Sequence, residues 1–183
     1  GNDTLTGGAG NDRLIGGAGI DTAVFSSRAN RINLGSTRRQ NTRDGKDILT
    51  GIENVNGGGG HDIITGNKSA NTLNGGNGND ILYGGKGNDR LVGGNGIDRL
   101  TGGVGNDTLT GGAGNDIFRI NSGVGRDLIT DYTSGEDRIK LLGGITENDL
   151  TFSYVGGHTR IKDDEGDLLA IVQNTIAADI NFI

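Results

Sequence analysis

Cysteine, proline, methionine and tryptophan are all missing from the 183 residues, and aromatic side chains make up only 4 %. Without cysteine there are no disulfides, thiolate metal sites or cysteine nucleophiles. Without proline, the glycine content cannot belong to a collagen helix. Apolar residues reach 31 %, and no apolar run approaches the roughly 20 residues of a membrane-spanning helix. Cations are the minority, 17 Lys and Arg against 23 Asp and Glu, for a formal net charge of −6. That balance disfavours nucleic acid and anionic membrane as partners, since both reward basic patches. What abounds is glycine, 38 residues. Each glycine loses more backbone entropy on folding than any other residue, and so few apolar groups cannot offset that loss. By composition the chain borders on the disordered class. Something besides an apolar core must hold it together.

Internal repeats are sought first, and they have a period of nine. One register gives Gly7-Gly8-Ala9-Gly10-Asn11-Asp12-Arg13-Leu14-Ile15 and then Gly16-Gly17-Ala18-Gly19-Ile20-Asp21-Thr22-Ala23-Val24. After an interruption it resumes in unbroken register at Gly57, Gly66, Gly75, Gly84, Gly93, Gly102 and Gly111. The unit reads G-G-x-G-x-D-x-U-x, with U a large apolar residue. Glycine at positions 1, 2 and 4 permits a tight turn with positive φ and close approach of backbone to a ligand. Position 8 holds Leu5, Leu14, Ile64, Leu73, Leu82, Leu91, Leu100, Leu109 and Phe118, flanked mostly by polar residues. This is the alternation of a short strand with one side chain facing inward. Three-residue strands joined by six-residue turns wind into a flattened parallel solenoid, two nonapeptides per coil, with coils about 4.8 Å apart. Its core is a thin double ladder, too small to support the fold.

Position 6 supplies the missing term. Asp12, Asp21, Asp62, Asp80, Asp89, Asp98, Asp107 and Asp116 all follow the glycine turn. Turns on one edge belong to alternate repeats, so Asp80 stacks on Asp98 and Asp89 on Asp107. Such rows of carboxylates repel unless a cation lies between them. Carboxylates with exposed backbone carbonyls make an all-oxygen, six- to eight-coordinate site that suits calcium. Magnesium demands stricter geometry, and zinc would want His or Cys.

The segments GGNGNDILY, GGKGNDRLV and GGVGNDTLT resemble the RTX (repeats-in-toxin) nonapeptide, a calcium-binding motif. The stretch Asp47-Ile48-Leu49-Thr50-Gly51-Ile52-Glu53-Asn54-Val55 is similar to a segment often found before such arrays. The resemblance implies an all-β, right-handed parallel β-roll binding several calcium ions. Each ion lies between turn n and turn n+2, held by the Asp carboxylates of both and by carbonyls of positions 1 to 4. Carried onto this chain, it pairs Gly57 and Gly59 with the turn of Gly75, Gly76, Asn77 and Gly78. That turn pairs in the same way with Gly93, Gly94, Asn95 and Gly96. The turn of Gly84, Gly85, Lys86 and Gly87 pairs with that of Gly102, Gly103, Val104 and Gly105, and Gly93 with Gly111, Gly112, Ala113 and Gly114. In the first block the resemblance sets Asp3 opposite Gly16, Gly17, Gly19 and Asp21. Asp12, with Gly7, Gly8 and Gly10, has no evident partner, which suggests a coil before Gly1; the chain opens inside a repeat and reads as part of a longer one. The turn at Gly66 has Asn71 in place of Asp and adds Lys68, so a weak or empty site is expected there. Gly123, Gly125 and Asp127 look like a degenerate further turn after a two-residue slip, closing a site with Gly102. Asp137 is a weaker ligand candidate.

Four regions follow from this reading: truncated repeats over 1–24, a strand and projecting basic loop over 25–56, the main roll over 57–140 and a C-terminal antiparallel β cap over 141–183. The basic tract Arg38-Arg39-Gln40-Asn41-Thr42-Arg43 reads mainly as a solvated loop. The tail is similar to the ends of RTX exoproteins, which implies a secretion signal near Ala177–Ile183, an extracellular location, type I secretion machinery as a partner and a passenger upstream. No catalysis is expected: His61 and His158 are the only histidines, nothing marks either as the base of a triad, and H-E-x-x-H is absent. Two roles remain. One is a module that folds on extracellular calcium and serves secretion and folding of a larger exoprotein. The other is a calcium-stabilised surface for adhesion or polysaccharide binding.

Overall fold

A computed structural model describes residues 1–26, 28–42, 45–121 and 125–183. The chain alternates between two sheets. The larger has ten strands in the order β1 (Thr4–Leu5), β3 (Thr22–Val24), β7 (Asn54–Asn56), β9 (Thr72–Asn77), β11 (Arg90–Asn95), β13 (Thr108–Ala113), β15 (Asp127–Ile129), β19 (Leu168–Val172), β18 (His158–Lys162) and β17 (Thr151–Val155). The second has six: β16 (Arg138–Leu141), β14 (Ile117–Ile120), β12 (Arg99–Val104), β10 (Ile81–Lys86), β8 (Ile63–Thr65) and β4 (Arg31–Asn33). A small third sheet joins β2 (Arg13–Ile15), β6 (Lys46–Thr50) and β5 (Gln40–Asn41). Helix among the described residues is limited to two single 3-10 turns, Glu147–Asp149 and Ala177–Asp179.

Register confirms two nonapeptides per coil. Leu82 lies opposite Leu100 and Leu91 opposite Leu109, both parallel. The inward residue of each strand is sealed: Ile64, Leu73, Leu82, Leu91, Leu100, Leu109 and Phe118 are all 0 % exposed. Beyond Phe118 the offset lengthens, with Thr108 opposite Leu128 and Ile117 opposite Arg138. The expected slip of the repeat is therefore absorbed in the turns, while the strands stay in step.

The strands are longer than the pattern suggests. From β9 to β13 each has six residues rather than three. The reason lies in the backbone. Stacked turns must satisfy their own amides, and the position-3 and position-4 N–H groups do so across coils: Lys86 N–H donates to Asn67 O at 2.9 Å and Gly87 N–H to Val104 O at 2.8 Å. Position 1 is left out of this register, for Tyr83 pairs with Thr101 and Gly85 with Gly103 while Gly84 is skipped.

The interruption is not a loop projecting from the solenoid. It is woven into the sheets. Its strand β4 pairs in parallel with β8, and β6 pairs in parallel with β2, replacing a coil. The Gln40 side-chain amide bridges the two parts, accepting from Asn33 N–H and donating to Asn33 O, so a side chain serves β4 as a neighbouring strand would. Thr42 is fully buried and its hydroxyl donates to Asp47. Arg38 and Arg39 stay exposed, and Arg43 lies outside the described residues. At the other end, β18 runs antiparallel between β17 and β19, and β19 lies parallel along the β15 edge. The C-terminal residues lie along β16, where Ile139 N–H donates to Asn181 O at 2.8 Å and Ile183 N–H donates to Ile139 O at 3.1 Å.

Candidate metal centre

Each repeat turn brings three things to one point. The position-6 carboxylate turns inward under its own turn, and one of its oxygens accepts the backbone N–H of the Asp one coil earlier. Asp62 N–H donates to Asp80 Oδ1 at 2.7 Å, Asp80 N–H to Asp98 Oδ1 at 2.7 Å, and Asp98 N–H to Asp116 Oδ1 at 2.8 Å. On the opposite edge Asn71, Asp89 and Asp107 donate in the same way to Asp89, Asp107 and Asp127. The other oxygen has no partner. Oδ2 of Asp12, Asp21, Asp62, Asp80, Asp89, Asp98, Asp107 and Asp116 is buried and unpaired.

At Asp62, Asp80, Asp89 and Asp98 the orphaned oxygen lies at the position-1 glycine of its own turn, together with the position-1 carbonyl of the turn one coil on. The point where Gly75 would carry a Cβ lies against Asp80 Oδ2 and 2.7 Å from Gly93 O. The Gly57 site repeats this with Asp62 Oδ2 and Gly75 O, the Gly84 site with Asp89 Oδ2 and Gly102 O, and the Gly93 site with Asp98 Oδ2 and Gly111 O. The four pairings read from the repeats are thus all brought together. Glycine is required on steric grounds: a Cβ at Gly76, Gly94, Gly103 or Gly112 would run into a carbonyl of the coil before it, at backbone φ near +100°. The side chains of Asn77, Lys86, Asn95, Val104 and Ala113 point to solvent, which leaves only their backbone to serve a metal.

A buried carboxylate oxygen without a donor is costly, and the titration of these groups reflects it. Burial raises Asp62 and Asp98 to about 7, Coulomb repulsion from their stacked neighbours adding to it and the backbone N–H bonds opposing it, and Asp89 and Asp116 are raised to about 6 for the same reasons. Asp80 and Asp107 are raised chiefly by burial as well. An orphaned anionic oxygen beside a convergent carbonyl is a donor set for a hard cation. No cluster of three or more His, Cys, Asp or Glu side chains occurs among the described residues, because each turn gives one carboxylate and takes its other donors from the backbone. The residues fit calcium: Asp62, Asp80, Asp89 and Asp98, with the carbonyls of Gly75, Gly93, Gly102 and Gly111, would hold it. The bound ion would neutralise the rows of stacked charge.

Elsewhere the placement differs from turn to turn. At the Gly66 turn, Asn71 takes the Asp position, but its amide is spent on protein: Oδ1 accepts Asn67 N–H and Nδ2 donates to Glu53 O, both at 2.8 Å. Asp127 continues one ladder, raised to about 7 by burial and by the charge of Asp107, and a Cβ at Gly125 would meet Gly105 O; Gly123 lies outside the described residues. Asp137 accepts Asp116 N–H with one oxygen and Thr133 N–H with the other, at 2.8 Å each, so its own turn uses it up. Asp3 N–H donates to Asp21 Oδ1 at 2.7 Å. Asp12 does have a partner coil within the chain: its N–H donates to Asp47 Oδ1 at 2.8 Å, and β6 supplies that coil because the interruption folds back beside β2. Gly8 and Gly17 face open space.

Several functional residues escaped the repeat pattern. Asp47 and Glu53 occupy ladder positions outside it, and Asp131 accepts the Gly111 and Gly112 N–H groups with its two oxygens, at 2.9 and 2.8 Å. Position-5 Asn forms a second ladder, with Asn79 and Asn88 Oδ1 accepting from Ile97 and Asn106 N–H. The recurrent G-N-D was visible as a signal for it. At His61 the ring Nδ1 takes that role, accepting Asn79 N–H at 2.7 Å.

The sequence pattern described as RTX calcium-binding nonapeptide repeat matches four times, at residues 1–23, 56–91, 83–118 and 92–129, which is just over half of the chain. Among solved structures, the AlgE6R3 subunit from the Azotobacter vinelandii mannuronan C5-epimerase is 28 % identical, over 67 % of this chain and 77 % of that one, with a TM-score of 0.33. The AlgE6R2 subunit of the same enzyme is 24 % identical, over 87 % and 90 %, with a TM-score of 0.29. The extracellular lipase LipA from Serratia marcescens is 16 % identical, over 98 % of this chain and 37 % of the lipase, with a TM-score of 0.49. No curated protein matches. With its repeats matched over more than half its length and its turns built as above, the chain belongs to the RTX calcium-binding nonapeptide-repeat family.

Proposed function

We propose that the chain is a calcium-triggered folding module of a larger, extracellular exoprotein, exported by type I machinery, and that it does no catalysis of its own. The observation that carries this reading is the series of eight buried, unpaired Asp Oδ2 atoms, found in the nonapeptide turns from Gly7 to Gly111 except that at Gly66. Where calcium is scarce, stacked carboxylates and costly glycines keep the chain open and threadable. Where calcium is near the 10⁻⁴–10⁻³ M range of extracellular modules, roughly, its binding free energy becomes folding free energy. Both histidines support a non-enzymatic reading, since His61 and His158 each spend Nδ1 on a backbone N–H, of Asn79 and Asn174. The test is far-UV circular dichroism of the whole chain during calcium titration, with magnesium as control. The β signal should appear with calcium and not with magnesium; a β signal already complete in chelator would sink the reading.

A second reading, an extracellular polysaccharide-binding surface, is favoured by one feature. The outer face of the six-stranded sheet aligns Arg31, Arg99 and Arg138 in one row and Tyr83, Arg119 and Lys140 in the next. Acidic glycan arrays with and without calcium test it. Binding should fall in Arg99→Ala and Arg138→Ala and persist in Arg38→Ala; the reverse would return the site to the basic tract.

A further inference from the structure

The segment Gly51-Ile52-Glu53 lies outside every stretch that matches the repeat pattern, yet its backbone is wired as a repeat turn. Gly16 N–H donates to Thr50 O at 3.0 Å, as Gly57 N–H donates to Asn74 O at 2.8 Å, which makes Thr50 a position 9 and Gly51 a position 1. Asp21 N–H donates to Glu53 Oε2 at 2.9 Å, as Asp80 N–H donates to Asp98 Oδ1 at 2.7 Å, which makes Glu53 a position 6. Asn54 N–H donates to Asp21 O just as Arg99 N–H donates to Asp80 O, both at 2.9 Å. One residue, the buried Ile52, spans what four residues span in a full turn. The shorter turn sets the acid back, and the extra methylene of Glu over Asp restores its reach.

The point of convergence is also the same. Asp21 is 0 % exposed and its Oδ2 has no partner. The Cβ position of Gly16 lies against both Asp21 Oδ2 and Gly51 O, as that of Gly75 lies against Asp80 Oδ2 and Gly93 O. We propose that a further calcium site joins the Gly16 turn to this non-repeat segment, held by Asp21 and the Gly51 carbonyl and charged by Glu53. It rests on the calcium reading of the repeats and extends it past them. The neighbouring Asp12 turn provides a contrast within the chain. Its Oδ2 is unpaired too, but the atoms nearest the Gly7 Cβ position are those of Asp12 and Leu14 rather than a facing carbonyl. Asp47 opposite it gives one oxygen to Asp12 N–H and the other to the Thr42 hydroxyl.

Native mass spectrometry of the whole chain across a calcium titration tests this. Asp98→Asn, in the repeats, must lose a bound ion for the general reading to stand. Asp21→Asn should lose one ion at saturation and Glu53→Gln should weaken one ion by about tenfold, as loss of a ligand charge does. Asp3→Asn should keep the wild-type count. If Asp98→Asn loses an ion while Asp21→Asn and Glu53→Gln match wild type, this site is overturned and the repeat sites are untouched. Loss of an ion in Asp3→Asn with calcium affinity unchanged in Glu53→Gln would also overturn it, placing the Asp21 ion on the Asp3 side. Should Asp21→Asn fail to show the calcium-bound β signal, Glu53→Gln, which alters no repeat residue, decides alone.

Discussion

Gly94 shows how little latitude a single position has. Its φ is +116° and a Cβ there would run into Gly76 O, so neither the conformation nor the space admits a side chain. Gly94→Ala should destabilise the calcium-saturated chain by more than the roughly 1–3 kcal/mol that such backbone strain alone costs. One repeat earlier and one position further along the unit, exposed Lys86→Ala should stay within about 0.5 kcal/mol. Urea unfolding in saturating calcium measures both, and equal midpoints would contradict the close-approach argument. At this scale the repeats were readable because each position has one task. Asp80 and Leu82 carry their roles in their register. Glu53 and Asp47 do not: the spacing around them is broken, and only the fold shows that a three-residue turn ending in Glu can stand for a six-residue turn ending in Asp. Asp131 was hidden for another reason. It serves two backbone amides of a neighbouring coil, a task that leaves no periodic trace.

Elements in this protein are stabilised by stacking, so their ends matter as much as their middles. The expectation of three-residue strands followed from side-chain alternation, which stops at position 9; it missed the glycine backbones that go on pairing, Gly85 with Gly103 and Gly94 with Gly112. Side-chain pattern carries no information about residues without side chains. The interruption departs from a projecting loop for a related reason, since the Gln40 amide side chain stands in for a strand beside Asn33. At the C-terminal end both sheets have a partner along their last solenoid strand, β19 on β15 and Asn181–Ile183 on β16. An open edge is a template for pairing with another chain. Deleting residues 181–183 removes the acceptor of Ile139 N–H and the donor from Asn181 to the Tyr132 hydroxyl. Amide exchange at Ile139 should then rise by about tenfold, the equivalent of one net hydrogen bond, while Leu100 stays protected. Light scattering should show concentration-dependent association. Unchanged exchange at Ile139 would mean that the tail does not hold this edge.

Over the whole molecule, the aspartate ladders tie stability to protons and calcium in opposite senses. In the metal-free roll, burial lifts Asp62, Asp98 and Asp127 to about 7 and Asp89 and Asp116 to about 6, whereas in the unfolded chain they titrate near the ordinary 3.8. Between those values the folded state binds more protons than the unfolded one, so the slope of unfolding free energy against pH is negative. The metal-free roll therefore loses stability as pH rises from about 4 to about 7, and protons partly stand in for the cation. Calcium needs the ionised carboxylates and displaces those protons; in saturating calcium the folded chain carries none of them and the unfolded chain gains them only near the ordinary 3.8, so stability should be level above about pH 5 and fall only below it. Thermal melts followed by circular dichroism at about pH 5.5 and about pH 7.5 read the sign directly. Calcium-stripped chain should show more β signal at the lower pH than at the higher, and calcium-saturated chain should melt alike at both. If both forms were more stable at the higher pH, the buried carboxylates would not be what opposes folding without the metal, and the shortage of apolar core alone would have to account for the dependence on calcium.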